Sequence, residues 1–290
     1  MERLFLGPAA CENARNHEIE KHTQFVFTQS HPSPLTRSKL PAQPNESLIN
    51  GIAVLQRVVS AGAPAGSREI ARQMGMSATR VNRLLGTLAH LGLLERDANR
   101  KYRPGPGLHV LGTQSMMASR LLPAALPVLM KLRQGGLTVA LGVLWEGRVC
   151  YLFHERPWQP IEEALFRHVL WPAQHSSLGI ALLAAGPDDP QLVEPEPGLP
   201  ISVEPNQKPA DLVAFARKNG YAVLRHTNNY ISIGVTIGNP PVAGLAVAGN
   251  LIGENYYGEI AQRLKVAAAE IVQHMSEPPV PTLEQANAAS

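Results

Sequence analysis

Residues 67–92 read SREIARQMGMSATRVNRLLGTLAHLG. Within this stretch Val81, Leu84, Leu85, Leu88 and Leu91 recur at the three- and four-residue spacing that lays apolar side chains along one face of a helix. Arg80, Asn82, Arg83, Thr87 and His90 fall off that stripe. Just upstream, Ile70, Ala71 and Met74 form the apolar side of a shorter helix, and Gly75 stands where such a helix ends in a left-handed cap. Ser77 is placed to N-cap the second helix. Two helices joined by a tight Gly-containing turn, the second with a polar and basic free face, are the pattern of a DNA-reading helix-turn-helix.

Working outward, residues 47–61 place Leu48, Ile52, Leu55, Val58 and Val59 on one face, with Ser47 as N-cap, and predict the first helix of the same unit. Downstream, residues 93–96 and 101–103 read as short strands about the turn Asp97-Ala98-Asn99-Arg100. The whole is predicted to be a winged helix-turn-helix over residues 47–104, with Arg96, Arg100, Lys101 and Arg103 on or beside the wing. Residues 105–120, with Leu108, Val110, Leu111 and Met116 as apolar positions, read as a linker helix joining the domains, its Met pair serving packing.

Charge follows this division. The chain carries +3 overall, but residues 47–104 hold nine Arg or Lys against three acids, a net +6, whereas residues 121–276 hold eleven against thirteen, a net −2. Only the first part is therefore expected to meet a polyanion. With 290 residues, 44% of them hydrophobic and 17% charged, the chain can bury about two cores of ordinary size.

Residues 1–46 show no helical or strand periodicity and end in the Pro-rich run HPSPLTRSKLPAQP, so they read as a disordered leader or an over-long start, and His17, His22 and His31 carry no chemistry. Residues 277–290 read as a tail. Cys11 and Cys150 make no disulfide framework and belong to no metal-spaced cluster; no metal and no cofactor is expected. The opening MERLFLGPAAC lacks the form of a secretory signal, and no apolar stretch reaches membrane-spanning length. A reducing cytoplasm is the expected compartment.

The second half alternates element types. Residues 123–133 predict a helix, residues 138–145 and 148–155 two strands about Glu146-Gly147, and residues 175–186 a helix opening at Ser176. Residues 211–219 predict an amphipathic helix closed by Gly220, residues 231–237 and 243–248 two more strands about Gly238-Asn239-Pro240-Pro241, and residues 259–275 a final helix. The fold class is α+β, helices packed on a mainly antiparallel sheet over residues 121–276.

On the segments REIARQMGMSATRVNRLLGTLAHLGLLERD, KYRPGPGLHVLG and PAQHSSLGIALLA, the chain resembles the IclR family of transcriptional regulators from about residue 47 to 275. That resemblance implies a GAF-like effector-binding domain in the second half. It also implies that Arg83 matches the family's recognition-helix Arg, able to fork onto a guanine edge or a phosphate, with a solvated helix face as the alternative account. Arg80 and Asn82 stand where the family often has Thr and an aromatic or His, and Ala78 departs from a frequent Lys. The expected DNA-contacting set is Ser67, Arg68, Ser77, Thr79, Arg80, Asn82, Arg83, Thr87, Arg100 and Lys101, the last two as phosphate or minor-groove contacts.

The resemblance further implies a small metabolite, a carboxylate among the candidates, bound between the sheet and the loop leading into a helix. Here that loop is residues 172–179, so the expected effector-binding set is His175, Ser176, Ser177, Leu178 and Gly179 with Arg225, Ser232, Ala246 and Ala248. Simple capping by the serines and an exposed Arg225–His226 loop pair are the ordinary alternatives. Ile180 replaces a frequent Lys, Ala246 and Ala248 stand for frequent Ser, Ser232 is near a frequent Cys, and the acidic residue expected after GYA is absent, so an altered pocket stays open.

An enzyme is not expected: there is no Gly-rich phosphate loop, no GxSxG and no metal-spaced His set, while His154 with Glu155 and His168 with His175 read as surface or core pairs. The sequence therefore predicts a homodimeric or homotetrameric transcription factor, more plausibly a repressor, whose binding to a near-palindromic operator in double-stranded DNA is modulated by a small-molecule effector. The alternative is a small-molecule sensor that acts through protein contacts, the winged helix being an interaction module.

Overall fold

The computed structural model describes residues 43–277 apart from 166–168, 191, 197, 228 and 251. The leader up to residue 42, with Cys11 and its three histidines, His168 and the tail from residue 278 lie outside the described residues. The chain divides into two compact units, one ending at Val110 and also taking in Glu196–Pro200, the other holding Leu111–Pro195 and the residues from Ile201 on.

The first unit contains α1 (Glu46–Ser60), α2 (Ser67–Met74), α3 (Ala78–His90), β1 (Leu94–Arg96) and β2 (Tyr102–Pro104). Its core joins Val54 and Val58 of α1, Ile70, Ala71 and Met74 of α2, Val81, Leu85 and Leu88 of α3, and Leu94 and Tyr102 of the wing. Gly75 caps α2 with φ 61° and ψ 25°, a conformation that costs a residue with a Cβ and is free to glycine. Three expectations need correction. Asn45, not Ser47, caps α1, its Oδ1 accepting from Leu48 N–H at 3.0 Å. The buried face of α1 runs through Val54 and Val58, leaving Leu48 61% and Ile52 48% exposed together with Val59, because Leu48 and Ile52 precede the turns that reach the core and Val59 points off the arc that carries Val54 and Val58. Leu91 is exposed because α3 ends one residue before it, so it leaves the stripe.

The wing closes about Asp97, whose Oδ1 accepts from Lys101 N–H at 2.8 Å while Arg100 takes a left-handed φ of 62°. Ala65 adds a third strand position by exchanging two backbone hydrogen bonds with Tyr102. The next helix, α4 (Pro106–Ser119), starts against the end of the helix-turn-helix. A Cβ on Gly105 would stand 2.5 Å from Gly92 O, and one on Gly107 2.9 Å from it, while both amides donate to the carbonyls of Leu93 and Gly92. Val110, Leu111 and Met117 along α4 are exposed.

The second unit is built on a six-stranded sheet, antiparallel at every pairing, of order β5 (Trp171–Pro172), β4 (Arg148–Glu155), β3 (Thr138–Trp145), β8 (Ala243–Gly249), β7 (Ile231–Ile237), β6 (Ala222–Arg225). The short β5 and β6 were not foreseen from alternation. Helices cover both faces. On one lie α5 (Leu121–Arg133) and α8 (Tyr257–Ser276), packed on Val139, Leu141, Phe153, Ile233, Val235, Ile237, Leu245 and Val247. On the other lie α6 (Ser177–Ala184) and α7 (Pro209–Asn219), packed on Ala140, Ala222, Leu224 and Ala246.

The large side chains of β7 and β8 thus all face α5 and α8, while Ser232, Gly234, Gly244, Ala246 and Ala248 face α6. Rows across the strands make the second face nearly flat: Ala140–Ala246–Gly234–Ala222, and beside it Thr138–Ala248–Ser232–Leu224. That flatness lets α6, buried over its whole length, rest on the sheet itself. A Cβ on Gly234 would meet Leu178 N and Ser177 C at 2.5 Å, and one on Gly244 would meet Leu178 Cβ at 2.8 Å.

Gly234→Ala should therefore destabilise the protein by about 1–3 kcal/mol or more, since the atoms it meets are backbone and cannot give way. Gly112→Ala, in open space on α4, should instead gain up to about 1 kcal/mol of helix propensity. Urea unfolding of the two variants checks both signs.

Candidate nucleic-acid interface and ligand-binding face

The free face of α3 follows from its buried one. With Val81, Leu85 and Leu88 inward, Ser77, Thr79, Arg80, Asn82, Arg83 and Thr87 are all exposed, and so are Arg68 on α2 and Arg100 and Lys101 on the wing; Ser67 is half-buried at the start of α2. Ser77 Oγ accepts from Arg80 N–H at 3.3 Å, so this side chain is held as the N-cap. Thr87 donates its hydroxyl to Arg83 O at 3.0 Å, which leaves its oxygen free to accept.

Among the described residues no ion pair engages Arg80, Arg83, Arg100 or Lys101, whereas Arg103 is tied across the wing to Glu95 at 2.9 Å. Four exposed cations thus have no anionic partner among the described residues. A helix N-terminus with such a face, fixed by a buried stripe, presents donors in the arrangement that a major groove and its phosphates accept.

On the second unit, α6 and the sheet bring together most of the residues expected there. Ser176 caps α6, its Oγ accepting from Gly179 N–H at 3.3 Å and from the Tyr151 hydroxyl at 2.8 Å. Ser177, Leu178 and Gly179 lie in the buried first turn, whose close approach to β7 leaves the sheet directly beneath it. Ser232, Ala246 and Ala248 are buried on the same face of the sheet. His175 Nδ1 is buried and has no hydrogen-bond partner among the described residues. Burial holds the His175 imidazole below its ordinary pKa, with Glu194 opposing.

Arg225 is not brought to this group. It follows Leu224 by one residue on β6, so its side chain falls on the opposite face, where it pairs with Glu254 and hydrogen-bonds Tyr257. Its neighbour His226 does join the face: Nε2 and Nδ1 share hydrogen bonds with Ser232 Oγ and Ser202 Oγ, each at 3.1 Å. Burial lowers the His226 pKa from the ordinary 6.5. Tyr230 stacks edgewise on His226 and donates its hydroxyl to Thr138 Oγ1.

Tyr151, Thr138 and Tyr230 were missed by sequence reasoning. Strand parity alone would have found Thr138, two residues from Ala140. The bulge between Leu141 and Gly142, which sets the register of Tyr151, leaves no such trace.

Comparison with known proteins bears on these two sites. Residues 47–98 match the IclR helix-turn-helix domain. No curated protein matches the sequence. Among solved structures, an IclR family transcriptional regulator from Brucella abortus aligns with a TM-score of 0.65 at 21% identity, covering 87% of this chain and 100% of its own. An IclR homolog from Microbacterium hydrocarbonoxydans, solved in complex with 4-hydroxybenzoate, aligns with a TM-score of 0.58 at 23% identity over 79% of this chain and 99% of its own. A regulator from Alicyclobacillus acidocaldarius aligns with a TM-score of 0.60 at 20% identity over 81% of this chain and 100% of its own. At these identities the likeness speaks for the fold.

Stability should depend on the two imidazoles. Their folded-state pKa values lie below the ordinary 6.5, so as pH falls through that value the unfolded chain binds protons first and the native state loses ground. The urea midpoint is expected to be flat above pH 7 and to fall below pH 6.5, and His226→Gln should flatten that decline.

Proposed function

We propose, for a chain of the IclR type with that family's helix-turn-helix at residues 47–98 and its fold beyond, a role as a sequence-specific transcriptional repressor whose operator binding responds to a small metabolite. Proteins of this type act by binding DNA, not by catalysis. The observation that carries the reading is the exposed row of Arg80, Asn82, Arg83 and Thr87 on a helix whose opposite face is locked into the core. Arg83 is the residue assigned to a guanine edge; Ser67, Arg68, Ser77 and Thr79 are assigned to phosphates at the helix starts, and Arg100 and Lys101 to phosphates beside the wing.

The operator is a near-palindrome read by two copies, and the protein acts in the cytoplasm as a dimer or tetramer. Supporting this are the exposed apolar side chains of α1 and α4, Leu48, Ile52, Leu111 and Met117 among them. No helix among the described residues is long and apolar enough to cross a membrane. Residues 105–120 connect the DNA-binding part, 47–104, to the effector-binding part, 121–276.

The effector is held on the α6 face of the sheet by His175, Ser176, Ser177, Leu178 and Gly179, with Ser232, Ala246 and Ala248 beneath. A His175 Nδ1 without a partner among the described residues and a floor of small side chains support the assignment. With Arg225 turned to the other face, polar neutral groups dominate there, so a carboxylate effector relies on imidazole and hydroxyl donors. The Microbacterium homolog's complex with 4-hydroxybenzoate supports a ligand of that size.

Fluorescence anisotropy against the DNA upstream of the protein's own gene and a scrambled duplex tests the central claim. The upstream duplex should bind more tightly, and Arg83→Ala should weaken it by about 1–3 kcal/mol and relax the preference. Lys101→Ala should weaken both duplexes alike and lower the salt slope by about one. Equal binding to both duplexes, unmoved by Arg83→Ala, would set the DNA-reading role aside in favour of a protein-contact module.

A further inference from the structure

On the face of the sheet away from α6, the end of β4 carries a carboxylate that the proposed effector site does not use. Glu155 is only 3% exposed. Its Oε1 pairs with Arg133 Nη2 of α5 at 2.6 Å, but its Oε2 is buried without a hydrogen-bond partner among the described residues. An unpaired acceptor in that position is costly, so a donor that reaches it gains correspondingly.

Glu155 lines a concave space of about 350 Å³, at the lower end of the range for small-molecule sites. Met130, Leu137 and Trp158 supply its apolar walls, and Arg133 and Arg156 its cations. Trp158 is 97% exposed and sits at a left-handed φ of 68°. A turn presents it there, with Gln159 N–H donating to Arg156 O at 3.1 Å and Arg156 N–H to Gln159 Oε1 at 3.2 Å. A bare indole beside an apolar-walled hollow is surface that a flat ring covers well.

We infer that this hollow is a second ligand site, separate from the α6 face, for a small aromatic molecule bearing a hydroxyl group. The ring lies against Trp158, Leu137 and Met130, and the hydroxyl donates to Glu155 Oε2. The charges select that class: Arg133 already neutralises Glu155, and Arg156 leaves the lining net positive, so a neutral donor fits and an ammonium group is disfavoured.

Phenol and toluene, which differ by hydroxyl against methyl, are the probes, titrated into the full-length protein by saturation-transfer NMR. Phenol should bind at least tenfold more tightly than toluene. Trp158→Ala, at a side chain that supports nothing in the fold, should cut phenol affinity at least fivefold with the thermal midpoint unchanged. In Glu155→Gln the amide oxygen turns to Arg133 and the NH2 to the hollow, so the tenfold preference for hydroxyl should shrink to about twofold or less. Equal affinity for the two probes, binding by neither, or phenol binding untouched by Trp158→Ala would overturn the assignment. The last result would put phenol elsewhere, the α6 face included, without bearing on whether α3 reads DNA.

Discussion

Backbone resting on backbone is the constraint on which the larger unit depends. The first turn of α6 lies directly on β7 and β8, which is possible only because positions 234 and 244 carry no side chain. The consequences spread through the sheet. One face must be floored by Gly and Ala, so the bulky residues of the same strands are all committed to the face under α5 and α8. A helix buried over its full length cannot leave its first amides to water, so the cap must come from within, and Ser176 supplies it with Tyr151 holding the capping hydroxyl in place. The same geometry that makes the face tight also makes it smooth, and its polarity is concentrated in a few hydroxyls and imidazoles.

The helix-turn-helix was legible in the sequence because each of its signals is local. A 3.6-residue apolar period, a left-handed Gly75 and a capping Ser77 all act within a turn or two of themselves, and all three stand where the pattern puts them. The first helix was less legible. Its apolar residues go nearly all round, so periodicity could not say which arc meets the core, and only Val54 and Val58 are buried. Cap choice was ambiguous for a similar reason, since Asn45 and Ser47 are both good caps two residues apart.

The candidate ligand-binding face depends on information of another kind. Whether a residue reaches it is decided by strand parity, and parity is lost wherever a strand is too short to show alternation or carries a bulge. Arg225 ends a four-residue strand and falls on the wrong side, while His226, one residue on, comes round to Ser232. Tyr151 reaches Ser176 across a register shift. Glu155 presented the opposite case: beside His154 it read as part of a surface or core pair, and the fold buries it against Arg133 of α5.

Gly105 and Gly107 fix the start of α4 to the carbonyls of Gly92 and Leu93, at the end of the segment that follows α3. Nothing elastic intervenes between them, so the two elements share one orientation. Arg83 lies nine residues before Gly92, roughly 14 Å along a helix at 1.5 Å per residue. A rotation of about 10° shared through the glycine clasp would therefore carry its Cα some 2.4 Å sideways on that lever, several times the slack of a hydrogen bond. Two missing side chains thus turn a loop-to-helix junction into a stiff clasp, in which a rotation of the first turn of α4 is carried into α3 and not absorbed between them.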